Sequence, residues 1–247
     1  MRTAVKLVTL MNNLLVPMSA RIPATQPANL IAYWKLGETS GTTADDSSAT
    51  GADGVYSGTY TLGQTGIGDG SLSTLFTPTT ARIDLTASVA TLDTPFDGAE
   101  GTLFAWAKVS AAGVWSDGAS RFIASLGFNA SNRIFLNKTQ FANLATGTYV
   151  AGGTTEQITI STSTTAWFSI AVTWKKAAEE VKCYFNGAQN GATAGALGVW
   201  TGALASGSSA IGDSTSAGGV GWSGNIAHVA AWKVALTAAE IASIGIL

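Results

Sequence analysis

The residues of this chain best suited to chemistry are its carboxylates, and two pairs of them are adjacent in sequence: Asp45 with Asp46, and Glu179 with Glu180. Hydrolysis of a glycosidic bond requires two carboxyl groups that face each other across the sugar. Adjacent residues of a strand point to opposite faces of a sheet, so neither pair is spaced to aim both groups at one substrate. Glu179 and Glu180 follow two lysines and are predicted to form a solvated turn.

The lone histidine and the lone cysteine are also poor candidates for catalysis. His228 has no second histidine or cysteine cluster with which to complete a metal site. No Gly-x-Ser-x-Gly run supplies a serine that His228 would activate, so we predict a structural role for it. Cys183 lies in the apolar run Val181 to Phe185 and is expected to be a buried structural thiol. The sequence therefore predicts a protein that is not an enzyme.

The loop from Ala44 to Gly54 concentrates carboxylates and turn-forming residues. Calcium accepts such mixed oxygen ligands in flexible geometry, so Asp45, Asp46 and Asp53 are candidate calcium ligands. The alternative is that the same Asp and Ser residues form Asx-turns that only fix the loop. No spaced ligand series of the EF-hand kind is present to decide between the two.

Three tryptophans, Trp115, Trp200 and Trp222, stand in Gly- and Ser-rich segments rather than on clean strand faces. An exposed indole offers a flat apolar platform and one hydrogen-bond donor, which suits a sugar ring or a partner protein. These three residues are our candidate ligand-binding positions. The alternative is that they close the ends of the fold, because tryptophan is highly buried on average.

Composition limits the partners of the protein. Hydrophobic residues make up 46% of the 247 residues and charged residues only 11%, so a large core is available under a neutral, hydroxyl-rich surface. Thirteen basic and fifteen acidic residues give a formal net charge of −2. This charge provides no basic surface for a polyanion, and nucleic acid is excluded as an expected partner.

The elements that must position these residues are strands. Phe168, Ile170, Val172 and Trp174 alternate with small residues, which predicts one core face and one lightly covered face. Asn186-Gly187 predicts a type I′ hairpin turn between two strands. Further strand candidates are Arg82 to Leu85, Thr102 to Val109, Arg121 to Leu126, Arg133 to Asn137, Gln157 to Ser161 and Asn225 to Lys233. The pattern predicts an all-β fold, a two-sheet antiparallel sandwich.

The two ends of the chain differ from this pattern. Thr237 and Glu240 form a predicted capping box that begins a short C-terminal helix. Residues 1–29 contain an apolar stretch that two asparagines interrupt, too short to span a membrane and not expected to be a cleaved signal. Prolines at 17, 23 and 27 favour an extended arm over a helix. We divide the chain into a docking arm, 1–29, and one domain, 30–247; the arm is expected to dock on its own domain or on a neighbouring subunit.

The motifs resemble, in order and spacing over about residues 30–247, the laminin-G-like jelly rolls of the concanavalin A-like lectin/glucanase superfamily. The residues that carry the resemblance are Tyr33 to Gly41, Ala44 to Ser48, Gly54 to Tyr56, Trp167 to Trp174, Tyr184 to Gly187, Ile211-Gly212 and Leu236 to Ile241. The resemblance implies two curved sheets with a concave face and edge loops available to ligands, and a calcium site at an edge loop. Where such domains often carry an Asp-Glu pair, this chain has Ala227-His228. The Glu-x-Asp-x-x-Glu run of the superfamily's hydrolases is absent.

These observations favour a non-catalytic structural or adhesive protein. Its jelly roll would be displayed on the surface of a larger assembly such as a virus particle, as a decoration or tail component, with glycan binding as an added role. Neighbouring subunits would be contacted through residues 1–29, in a homo-oligomer or on the particle; no transmembrane segment is expected. The alternatives are a secreted lectin-like carbohydrate-binding module and, as a minority hypothesis, a glycoside hydrolase.

Overall fold

The computed structural model describes residues 16–205, 207–215 and 217–247, and this part of the chain forms sixteen strands and three α-helices. In chain order they are α1 (Met18–Ala24), β1 (Leu30–Trp34), β2 (Thr43–Ala44), β3 (Gly54–Ser57), β4 (Tyr60–Thr65), β5 (Leu72–Phe76), β6 (Arg82–Asp84), α2 (Val89–Asp93), β7 (Glu100–Val109), β8 (Arg121–Asn129), β9 (Asn132–Lys138), β10 (Leu144–Ala151), β11 (Thr154–Ser161), β12 (Phe168–Lys175), β13 (Glu180–Phe185), β14 (Ala188–Ala194), β15 (Ala210–Ile211), β16 (Gly224–Trp232) and α3 (Ala238–Gly245).

The strands form two antiparallel sheets, which confirms the predicted sandwich. One sheet has the order β14-β13-β12-β7-β16-β5-β4, with β1 also paired to β16; we call it the covered sheet. The other has the order β11-β10-β9-β8-β15-β6-β3-β2; we call it the groove sheet. Within the groove sheet, β8 to β11 pair in sequence order, so alternate residues of four consecutive strands share its outer face.

The core fills the space between the sheets. Ile170 and Val172 of the covered sheet and Ile134 and Leu136 of the groove sheet are all fully buried in it. The two sheets approach closely at Gly147, where an added Cβ would lie 2.8 Å from the Cys183 sulfur. Cys183 is buried, as predicted, and burial raises the pKa of its thiol to about 12.

The hairpin and the C-terminal helix follow the sequence prediction. Asn186 and Gly187 have φ values of 49° and 73°, as a type I′ turn requires. The Thr237 hydroxyl accepts from the Glu240 amide, and the Glu240 carboxylate accepts from the Thr237 amide, so the capping box of α3 is complete.

The outer face of the covered sheet is not lightly covered, contrary to the sequence prediction. Ala171 and Tyr184 lie in a second buried cluster with residues of both terminal helices. The Ser169 hydroxyl donates to the Gly245 carbonyl at 2.8 Å, because small side chains on β12 let α3 approach the sheet backbone. The second face of β12 is therefore a helix-packing surface.

The extended conformation predicted after Pro17 is also wrong for the described part of the arm. Residues 18–24 form α1, with Pro17 as its N-cap and Pro23 in its last turn. Met18 and Ile22, spaced by four residues, are fully buried against the covered sheet, and this burial outweighs the local preference of proline. Residues 16–29 dock on their own domain. Residues 1–15 lie outside the described residues, so docking on a neighbouring subunit and the boundary at residue 29 remain predictions.

Candidate functional site

A groove of about 490 Å³ runs along the outer face of the groove sheet over β8 to β11. Its floor and walls combine aromatic, amide, hydroxyl and guanidinium groups. The lining residues are Ser120, Phe122, Arg133, Phe135, Asn137, Thr139, Gln140, Phe141, Leu144, Gln157 and Thr159. Strand alternation places the lining residues of β9 opposite the core residues of the same strand, as Arg133, Phe135 and Asn137 alternate with Ile134 and Leu136.

The aromatic part of the groove is a pair of phenylalanines with a third at the rim. The rings of Phe122 and Phe135 are 5.1 Å apart and tilted by 47°, and Val150 and Val220 pack beside them. Phe141, in the loop after β9, is 65% exposed. The groove therefore offers apolar ring surface both on its floor and at its edge.

The polar part is a chain of hydrogen bonds across β9, β10 and β11. The Thr146 hydroxyl bonds to the Asn137 amide oxygen and lies 3.4 Å from the Thr148 hydroxyl. Gln157 donates through Nε2 to Thr148 Oγ1 at 3.2 Å. Asn137 and both threonines are buried, whereas Gln157 is exposed. Its side chain is thus held at one end and presents the remaining amide atoms to solvent.

Among the described residues, Arg133 is the one cationic residue that lines the groove. Its guanidinium lies 4.7 Å from the centre of the Phe135 ring, and its Nε is buried without a hydrogen-bond partner. All fifteen acidic residues lie in the described part of the chain, and none of the ion pairs there includes Arg133. Burial lowers the pKa of this half-buried guanidinium, which nevertheless stays protonated at neutral pH.

Two of the predicted ligand-binding tryptophans have no accessible ring face. Trp115 is 1% exposed and Trp222 0% exposed, and both belong to the core cluster between the sheets. Their indole nitrogens donate to the backbone carbonyls of Thr164 at 2.7 Å and Lys108 at 3.3 Å. The platform expected at these two positions is therefore wrong, because both rings pack beside Phe168 in the core, with ring centres 5.8 Å and 6.3 Å away.

Trp200 differs from the other two because it remains partly exposed. One face packs on Gly98, where an added Cβ would lie 2.1 Å from the indole Cγ, and Phe96 meets the ring edge-on at 5.3 Å. The indole nitrogen donates to the Gly202 carbonyl at 3.0 Å. Trp200 does not line the groove, and ligand binding by it stays a prediction.

The three aspartates predicted to bind calcium do not converge on one point. Both oxygens of Asp46 are occupied: they accept from the amides of Tyr33, Ser48 and Ala52 and from the Ser48 hydroxyl, at 2.8–2.9 Å. Asp53 accepts from the Asp46 amide at 2.8 Å, and Asp45 is exposed. Among the described residues no cluster of three His, Cys, Asp or Glu side chains is placed to hold a metal ion. The geometry is that of a hydrogen-bonded loop, and calcium binding remains a prediction.

His228 occupies a different place, at a bulge in β16 under α1. It has a left-handed backbone with φ of 51°, is 1% exposed, and its Nδ1 lies 2.8 Å from the Tyr33 hydroxyl. Burial lowers the pKa of His228 to about 4, with a smaller opposing effect of Asp69 and a reinforcing one of Lys35. His228 and Asp69 border a second pocket of about 410 Å³ beside Pro17. The neutral, buried ring supports the structural role predicted for His228.

Sequence reasoning missed the groove although it identified three of the strands that form it. The usable signal was the alternation of Arg133, Phe135 and Asn137 with the apolar Ile134 and Leu136. Large and functional side chains on the solvent face of a strand are the residues expected at a binding surface. The prediction relied on tryptophan, and none of the groove-lining residues is a tryptophan.

Comparison with known proteins places the fold. Residues 83–242 match the laminin G family model of the concanavalin A-like lectin/glucanase superfamily. No curated protein sequence matches the chain. Within the described ranges, no helix is both long and apolar enough to cross a membrane.

Several solved structures share the fold. Domain 4 of AbnA, a GH43 extracellular arabinanase from Geobacillus stearothermophilus, in complex with arabinotriose, is 17% identical, with a TM-score of 0.61, over 88% of this chain and 98% of that chain. The CBM40 of the Ruminococcus gnavus IT-sialidase, bound to α2,3-sialyllactose, is 14% identical, with a TM-score of 0.56, over 70% and 96%. The binding domain of botulinum neurotoxin serotype C1 is 12% identical, with a TM-score of 0.65, over 87% and 51%. At these identities the likeness establishes the fold, and the family match establishes that the chain belongs to the concanavalin A-like lectin/glucanase superfamily.

Proposed function

We propose that the protein is a non-catalytic carbohydrate-binding module and that the groove over β8 to β11 is its binding site. The observation that carries the proposal is the groove itself: aromatic rings and fixed polar side chains share a concave surface that no helix covers in the described part of the chain. Two proteins of the same fold were solved with oligosaccharides, arabinotriose and sialyllactose, which supports this choice of ligand class.

The composition of the groove suits a sugar. The C–H face of a sugar ring is apolar and packs on aromatic rings such as Phe135 and Phe141. Its hydroxyl groups need donors and acceptors in fixed positions, which Asn137 and Gln157 supply. Because the hydrogen bonds of Thr146 and Thr148 already hold these amides, little side-chain entropy is lost on binding.

The same groove is unsuited to glycoside hydrolysis. Its lining residues include no aspartate or glutamate, whereas hydrolysis requires a carboxylic acid and a second carboxylate across the scissile bond. The lack of carboxylates supports binding over the hydrolase alternative.

Display of the protein on a virus particle, or its secretion, is a separate proposal that rests on the composition of the chain. Repeated copies on a particle would raise the avidity of individually weak sites.

The test is a panel of neutral and acidic oligosaccharides, followed by titration calorimetry of the best ligand with the wild type and the Gln157→Ala variant. Gln157 is exposed, so its removal leaves the fold intact. We expect affinity to fall about three- to tenfold, the effect of one or two lost hydrogen bonds. The matched control is Val199→Ala, an exposed position away from the groove, which should bind like the wild type.

Two outcomes would contradict the proposal. If no oligosaccharide of a broad panel binds, the protein is not a carbohydrate-binding module. If a ligand binds with equal affinity to Gln157→Ala and wild type but loses affinity on Trp200→Ala, the site lies at Trp200 rather than in the groove.

A further inference from the structure

Arg133 lines the groove and forms no ion pair among the described residues. We infer that the groove selects glycans that bear a carboxylate group, with the Arg133 guanidinium as the carboxylate-binding residue. The inference rests on the proposed function and names the class of glycan that the groove prefers.

Arg133 differs from the other basic residues on the same strands in its ion pairing. Arg121 pairs with Asp117 at 2.6 Å, and Lys138 pairs with the same carboxylate. Arg133 is the third basic residue of β8 and β9, and no carboxylate of the described residues lies within 4 Å of it. The two cations at one end of these strands share one carboxylate, whereas the cation in the groove pairs with none of the described carboxylates.

The guanidinium of Arg133 lies in a partly desolvated environment. It is half-buried, its Nε is fully shielded from solvent without a partner, and burial lowers its pKa. A cation that has lost part of its hydration without gaining an anion gains more from a carboxylate than a fully solvated one does. An anionic ligand in the groove would therefore replace the hydration that the Arg133 guanidinium has lost.

The position of the Arg133 guanidinium beside Phe135 leaves it able to bind a ligand. A purely structural role for Arg133 would be its contact with the Phe135 ring, 4.7 Å from the ring centre. That contact leaves the N–H donors of the guanidinium without an ion pair among the described residues. The edge of a guanidinium matches a carboxylate with two parallel hydrogen bonds. The contact with Phe135 therefore holds the guanidinium in the groove and leaves its N–H donors available to a ligand.

The separation of Arg133 and Asn137 indicates the size of the ligand. Arg133 and Asn137 are four residues apart on β9, which separates their backbone positions by about 13 Å at the usual strand rise. Gln157 and the Phe141 ring extend the polar and aromatic surface on the Asn137 side. A ligand that contacts both ends is longer than one sugar unit, so we infer an acidic oligosaccharide rather than a free sugar acid.

The experiment compares matched pairs that differ in one carboxylate: 3′-sialyllactose with lactose, and galacturonate oligomers with galactose oligomers of equal length. Affinities are measured by titration calorimetry for the wild type, Arg133→Gln and Arg82→Gln. Arg82 is the matched control, because it also lies on the groove sheet without an ion pair among the described residues and does not line the groove.

For the wild type and Arg82→Gln, we expect at least one acidic ligand to bind tenfold or more tightly than its neutral partner, with a preference that falls as salt is raised. Arg133→Gln should lose that preference, because its affinity for the acidic ligand should fall further than its affinity for the neutral partner. Arg133→Lys should retain only part of the preference, because an ammonium cannot form the bidentate contact. Equal melting temperatures of the variants would show that folding is unaffected.

The inference is overturned if neutral ligands bind in the groove and no acidic partner is favoured, or if the preference survives in Arg133→Gln. In those cases the proposed carbohydrate-binding function still stands. Preference for a 3′-sulfated lactose over sialyllactose would also overturn the assignment of a carboxylate. If no glycan of either kind binds, the proposed function itself fails.

Discussion

The outer faces of the two sheets are built from the same kind of alternating strand but have opposite compositions. On the covered sheet the outer face presents large apolar residues, such as Trp106, Tyr184 and Trp232, and both terminal helices lie on it. On the groove sheet the outer face mixes Phe135 with amide, hydroxyl and guanidinium groups, and it borders an open groove. The comparison teaches that composition decides which face is covered by the chain itself and which is left for a ligand.

The covering helices accept hydrogen bonds from two indole groups of their face as well as burying its apolar area. The indole nitrogen of Trp106 donates to the Ile244 carbonyl at 3.1 Å, and that of Trp232 donates to the Thr25 carbonyl at 2.8 Å. Buried side-chain atoms without a partner among the described residues occur on both sheets, including His228 Nε2 on the covered sheet and Arg133 Nε in the groove. Most buried polar atoms in proteins are hydrogen-bonded, and Arg133 differs from His228 because it carries a positive charge and lines the groove.

The largest expected effect is on stability, from the covered face. Trp232→Ala removes a fully buried indole between α1 and the sheet, and we expect the free energy of unfolding to fall by about 3–5 kcal/mol. Urea denaturation followed by circular dichroism measures the change. Val199→Ala, at a 64% exposed side chain, is the control and should stay within about 0.5 kcal/mol of the wild type. A loss below about 1 kcal/mol for Trp232→Ala would show that the helices are not essential to this face.

The second largest expected effect is a dependence of stability on pH, caused by His228 on the covered sheet. Burial lowers the pKa of His228 from 6.5 to about 4, so the unfolded chain binds more protons than the folded one between these values. Stability is therefore fully present above pH 6.5 and falls as pH falls towards 4, by about 2–4 kcal/mol. Denaturation at several pH values measures it.

His228→Asn is the matching variant for the pH experiment, because asparagine tolerates the left-handed backbone at this position. It should reduce the slope between pH 6.5 and 4, whatever its effect at neutral pH. An unchanged slope would show that His228 is not the group responsible. The groove contains no histidine among its lining residues, so oligosaccharide affinity should vary little over the part of this range where the protein remains folded.

The smallest expected effect on stability comes from the groove rim. Phe141→Ala removes an exposed ring and should change the free energy of unfolding by less than about 0.5 kcal/mol. Loss of its apolar contact with a sugar should nevertheless weaken oligosaccharide binding about three- to tenfold. Calorimetric titration beside a denaturation curve separates the two. If Phe141→Ala instead lowered the free energy of unfolding and left oligosaccharide affinity unchanged, Phe141 would contribute to folding and not to ligand binding.

The same comparison shows how much of the molecule could be predicted from the sequence. The period of two along β12 identified the core face correctly, and the capping box of α3 could be predicted from Thr237 and Glu240 alone. These are local signals. The covered face was misjudged because Ser169 and Ala171 look like solvent-facing small residues until α3 is placed over them. Likewise α1 forms around Pro23 only because the sheet buries Ile22.

The candidate site was harder to predict than the fold, because it depends on neighbours from different strands. Phe122 and Phe135 meet across the β8–β9 pair, and Asn137 reaches Gln157 only through Thr146 and Thr148 of β10. No single segment of sequence contains this arrangement, and β10 itself was not predicted. The tryptophans gave a stronger signal in sequence, but Trp115 and Trp222 are buried in the core.

The measurement that tests the central claim most directly is an NMR titration of the isotopically labelled protein with an oligosaccharide identified from the panel. We predict that the backbone amide shifts of β8 to β11 and of the loop at Phe141 change with ligand concentration, and that those of α1, α3 and the covered sheet do not. Shifts confined to the covered sheet, to the Asp46 loop or to the surroundings of Trp200 would contradict the assignment of the groove as the binding site.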